Sequence, residues 1–172
     1  MSEINFRQLV GVAPRSQGVA PEAWLEIEEW AGGSLPIDFK EFVELYGEGL
    51  TRGHLYIPHP YGEEPLLRFM ENGRRSFGRI ARHFSGELGG AAFDPASVVP
   101  WAYSNWDGDQ CFFVPTGGAA WRILLVFRQM ACVRFYDFEF SEFIAGVIAG
   151  TALPPGWPDL GPVWKPVDGS LL

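Results

Sequence analysis

The chain has little of what marks the commoner chemistries. No apolar segment reaches the roughly 18 residues that a membrane span needs, and no basic flank followed by an apolar run opens it as a secretory signal would. Cysteine occurs only at Cys111 and Cys132, both inside strand-like runs. That usage predicts two buried thiols in a reducing compartment and excludes a disulfide scaffold. A cytoplasmic, non-membrane protein is the expectation. His54, His59 and His83 are the only histidines, and none stands at metal-ligand spacing from another. There is no Gly-x-Ser-x-Gly elbow, no cysteine with a nearby histidine, and no glycine loop between a strand and a helix to cradle phosphate. Asp107 and Asp109 flank Gly108, but the calcium-loop pattern fails there, so the pair predicts turn chemistry. The expectation is therefore no catalytic residue, no cofactor and no metal.

What is present suits a packed domain. At 172 residues, 47% hydrophobic and 20% charged, one domain over 1–172 can bury a core without a staple. Seven Trp and fourteen Phe need that interior or a partner surface. The net charge of −8 disfavours nucleic acid and favours fast capture of a basic partner.

Periodicity gives the element order. Pro21 opens a helix with Trp24, Ile27 and Ala31 on one face, stopped by Gly32-Gly33. Pro36 to Tyr46 is a second helix with a Phe39, Phe42, Val43, Tyr46 stripe, ended by Gly47. Residues 22–48 carry eight acidic side chains against one lysine, either a solvated face or a binding face. Leu50 to Ile57 reads as one strand. Leu66 to Phe84 reads as a helix whose polar side holds Arg68, Arg74, Arg75, Arg79 and Arg82 against Glu71. Those arginines either pair with the acidic helices, stay solvated, or grip an anion. Ser85 to Ala96 is a loop, residues 13–20 a linker, and residues 1–20 otherwise ambiguous.

The stretch Val98 to Phe140 predicts a sheet. Strands are expected at Val98–Ala102, Gln110–Val114, Trp121–Phe127 and Cys132–Tyr136, with turns at Asn105–Asp109, Pro115–Gly118 and Gln129–Ala131. Glu139 to Ala149 is the last helix, with Asp137 as candidate N-cap. The Pro- and Trp-rich tail, 151–172, is expected to pack along a core of about 20–150. Trp106, at a turn tip, either folds back or meets a partner.

Three motifs in order resemble a known family. Gly33-x-Leu35-Pro36-x-Asp38-Phe39-x-x-Phe42 followed by Tyr46-Gly47-x-Gly49 is similar to the opening of the SUKH superfamily, named partly for a fungal cell-wall assembly regulator. The Asn105–Asp109 turn before Cys111–Val114 resembles its Gly-Asp hairpin, and Phe140–Gly150 resembles its last helix. The resemblance spans about residues 20–150. The Arg-rich helix, the 85–97 loop and the tail depart from it. It implies an α+β fold, helices packed on one side of a mainly antiparallel sheet, and a role without catalysis. Many bacterial members are held to be immunity proteins that neutralise a cognate toxin, often a nuclease, of polymorphic toxin systems. The expected partner is thus a basic protein toxin. The expected interface is the end of the second helix with the sheet turns: Glu48, Glu63, Glu64, Trp106, Asp107 and Asp109. The alternatives are a regulatory scaffold for signalling or cell-wall-synthesis proteins and, last, an anionic-ligand protein using the Arg68–Arg82 face.

Overall fold

A computed structural model describes residues 5–11, 18–84, 94–117, 120–151, 154–158 and 161–167. Among them are five α-helices and a seven-stranded, wholly antiparallel sheet, the α+β architecture expected. The helices are α1 (Phe6–Val10), α2 (Pro21–Ala31), α3 (Ile37–Tyr46), α4 (Leu66–Ile80) and α5 (Phe140–Ala149). The strands are β1 (Gly49–Thr51), β2 (Leu55–Ile57), β3 (Val99–Ser104), β4 (Gln110–Pro115), β5 (Trp121–Phe127), β6 (Cys132–Tyr136) and β7 (Trp164–Pro166). Their order across the sheet is β6-β5-β4-β3-β2-β1-β7. The expected linker at 13–20 and loop at 85–96 fall largely outside the described residues.

Alternation along the strands sorts the side chains into two faces. Val99, Trp101, Cys111, Phe113, Ile123 and Leu125 meet α2, α3 and α5 in the main core. Phe112, Val114, Leu124 and Val126 turn the other way and meet Phe77 of α4 and Ala81 and Phe84 of the 3₁₀ turn that follows it, where the helix had been expected to run on to Phe84. The sheet is thus covered on both faces, where the expectation had placed the helices on one side. The cause is α4: its first turns reach the main core through Leu66 and Met70, while Phe77 packs on Phe112 across the sheet, ring to ring at 4.9 Å. Gly73 lets α4 lie close, because a Cβ there would sit 2.8 Å from the Pro100 ring.

Two local readings differ from expectation. Leu50 to Ile57 is a hairpin, turning at Arg52 and Gly53, both at positive φ, and not one strand. Asp137 does not cap α5; Glu139 does, in a reciprocal capping box with Glu142, while Asp137 pairs with Arg122. In the tail, Trp164–Pro166 adds a strand to β1 and Trp157 enters the main core.

Candidate functional site

The six residues expected to form one interface lie at opposite ends of β2. Gly49 pairs with Ile57, so Glu48 sits at the far end of that strand with the loop that follows it. Leu55 pairs with Ser104, which puts the Asn105–Asp109 turn at the near end. The β1–β2 hairpin reverses the chain between Glu48 and the Asn105–Asp109 turn, whereas Glu64 lines a groove with Tyr103 and Gln110 beside that turn. Glu48 is half-buried and committed: it accepts from the Tyr56 hydroxyl and, at 3.1 Å, from the Glu63 amide. Burial and the Glu48 carboxylate together push the Tyr56 phenol far up. Glu63 is exposed, and Glu64 accepts from Asn72 at 3.3 Å.

At the other end, Trp106 does not fold back; the residue is 68% exposed. Asp109 cannot be a surface contact. It is 2% exposed, and its carboxylate accepts from Trp157 Nε1 and from the Arg128 amide, each at 2.9 Å. The buried acid joins three segments: the β3–β4 turn, the β5–β6 turn and the tail. Asp107, half-buried, stands between the two roles and faces His54 electrostatically.

His54 belongs to the same knot. Its Nδ1 lies 3.0 Å from Ser104 Oγ, its ring meets Trp157 edge-on at 5.0 Å, and Nε2 has no partner among the described residues. Burial holds the imidazole down at about 4, against a smaller opposing pull from Asp107. An unfolded chain takes up this proton near the ordinary histidine value of about 6.5, whereas the folded chain waits until about 4. The unfolded state therefore binds more protons across that window, and stability falls as the pH drops through it, approaching about 1.4 kcal/mol per pH unit. Urea denaturation at pH 7 and pH 5 tests this. The loss should be shallower in His54→Asn than in the parent, and equal losses would assign the acid sensitivity to other groups.

The surface best built for a partner lies elsewhere. A cleft of about 250 Å³ opens between the first turns of α3 and α5 and the start of β5, lined by Ile37, Trp121, Phe138 and Phe140 among others. Its walls are fixed by hydrogen bonds. Asp38 bridges the two helix starts, its carboxylate accepting from the Phe39 amide at 2.9 Å and the Ser141 amide at 2.7 Å. Trp121 Nε1 donates to the Ser34 carbonyl at 2.8 Å, tying β5 to the α2–α3 connection. At the mouth, Ile37 is 72% exposed and Phe138 42% exposed.

The cleft borders the start of α3, with the exposed Glu139 in its lining. Glu41 is exposed one turn beyond Ile37 on the same side of α3, and Glu22, Glu26 and Glu29 are exposed along α2 with Leu25, itself 65% exposed. The single lysine of these two helices is already used: Lys40 Nζ lies 2.7 Å from Glu28 Oε1. Periodicity located the buried stripe of α3 but did not single out Ile37. The signal was an aliphatic side chain on the opposite, otherwise polar face. Phe138 carries no periodic signal at all, since it stands between β6 and α5.

Among the described residues, no group of three or more His, Cys, Asp or Glu side chains is placed to hold a metal ion, and no helix is long and apolar enough to cross a membrane. No family model, no curated protein and no solved structure matches the chain.

Proposed function

We propose that the chain is a non-catalytic protein-binding domain that acts as an immunity protein, docking on a cognate basic toxin and blocking its active site or substrate path. The observation that carries this reading is the Ile37–Trp121–Phe138 cleft with exposed acids at its rim, Glu139 in its lining and Glu41 one turn beyond Ile37. Exposed aliphatic and aromatic side chains around a preformed hollow are what an interface anchor needs. Acidic side chains around it draw a basic partner and set its orientation. A lysine or arginine suits such a site, its stem against the apolar walls and its head towards Glu41. The motif resemblance to SUKH proteins supports the same reading.

The cleft and the turns at the ends of β2 are lined by different residues, so substitution tells them apart. Ile37→Arg sets a cation at the cleft mouth and should weaken toxin binding about 100-fold, the scale of a hot-spot residue. Its exposed position leaves the melting temperature within about 1–2 °C of the parent. Calorimetric titration against the product of a toxin gene adjacent to this one is the measurement. Trp106→Ala is the comparison: a large loss there with none at Ile37 would move the interface to the β3–β4 turn.

A further inference from the structure

The Arg-rich helix is left over by this reading. Arg74 has an internal role: its guanidinium stacks 3.6 Å over the Trp30 ring, and Nε donates to the Val98 carbonyl at 2.7 Å. Arg68, Arg75, Arg79 and Arg82 are exposed and have no acidic partner among the described residues. At 100° per residue Arg68, Arg75 and Arg79 of α4 fall within an arc of about 40°, a line of three cations about 17 Å long, and Arg82 follows in the 3₁₀ turn after the helix. Glu71 is the one acid on this helix, beside the line.

The complement lies alongside. Trp30 under Arg74 holds α2 next to α4. A groove of about 580 Å³ between the helices is lined by Ala23 and Glu26 from α2 and by Arg68, Glu71 and Arg75 from α4. A second groove further along sets Trp30 beside Arg74 and Gly78, so the two helices run in the same direction. On α2 the exposed acids are Glu22, Glu26 and Glu29. Glu22 to Glu29 is seven residues, as is Arg68 to Arg75, so both stripes repeat at about 10 Å.

We propose that a second copy of this chain docks across the α2–α4 groove, the glutamate stripe of each copy lying on the arginine stripe of the other. A two-fold axis parallel to the helices sets α2 of one copy over α4 of its partner in the same direction. Glu22 and Glu29 then meet Arg68 and Arg75 together, twice per dimer. Such an isologous contact needs one self-complementary patch, and this surface has both halves. Leu25 and Tyr61, 65% and 55% exposed, supply its apolar part. The contact is small and charge-dominated, at the weak end of the interface range, so the association is reversible and salt-sensitive. The Ile37 cleft stays open, because α3 stands between it and α2: Lys40 of α3 pairs with Glu28 of α2, and Asp38 of α3 accepts from the Ser141 amide of α5.

Sedimentation velocity on the full chain is the test. At low salt the 19.2 kDa monomer should give way to a dimer as loading rises to about 100 μM, and about 0.5 M salt should restore the monomer. Arg68→Glu with Arg75→Glu should weaken association more than about tenfold, as should Glu22→Arg with Glu29→Arg. Mixed in equal amounts, the two double variants should dimerise again, since each then meets its complement at both contacts. Circular dichroism confirms that each variant is folded. A chain that stays monomeric at low salt, or double variants that dimerise as the parent does, would overturn the proposal.

Discussion

Asp109→Ala should lower the unfolding free energy by about 2–4 kcal/mol, although it removes only a carboxylate from a turn. Among the described residues the carboxylate is the acceptor for the Trp157 indole and for the Arg128 amide, and it is out of water. Alanine leaves both donors buried or half-buried without a partner, and each unsatisfied donor costs about 1–3 kcal/mol. The tail should loosen first, because Trp157 is held by this bond and by ring contacts with His54 and Phe143. Asp109→Asn keeps one acceptor oxygen and should recover part of the loss. Urea denaturation followed by tryptophan fluorescence reads both. A loss below about 0.5 kcal/mol for alanine, the scale of an ordinary surface change, would return Asp109 to the surface role that its place in a turn suggested.

Phe39→Ala should cost about 3–5 kcal/mol, the range for emptying a large buried aromatic. Phe39 has no exposed surface and meets the rings of Trp24, Trp101, Phe113 and Phe140 within 5.2–6.4 Å. It joins α2, α5 and the sheet at one point. Edge-on aromatic pairs add to the burial energy, so the cavity forfeits several contacts at once. Phe39→Leu should cost clearly less, because it refills much of the volume. Equal costs for the two would mean that the site collapses around the missing ring.

Phe39 was legible in the sequence for the reason that makes it costly to remove. A strong 3.6-residue pattern and a proline-led start leave few alternatives for residues 36–46, and Pro21–Gly32 is as plain. The sheet strands from Val99 to Tyr136 were equally accessible, since aromatic and β-branched runs broken by turn residues admit little else. What escaped was long-range. Nothing local says that residues 164–166 pair with β1, or that the hairpin at Arg52–Gly53 carries Glu48 and Trp106 to opposite ends of one strand. Asp109 looked like a surface acid because turn composition is a local statement, whereas its burial depends on a tryptophan 48 residues away. Ile37 was passed over because burial patterns mark the inside of a helix. An exposed apolar residue stands out only once the neighbouring Trp121 and Phe138 are in place.

The most direct test of the proposed role is protection. The chain and the product of an adjacent toxin gene should be expressed together and separately, with growth and complex formation followed. The parent chain should restore growth and co-elute with the toxin as a stable complex, while Ile37→Arg, equally folded and expressed, should do neither. Undiminished toxicity with no complex at micromolar concentrations of both proteins would contradict an immunity role.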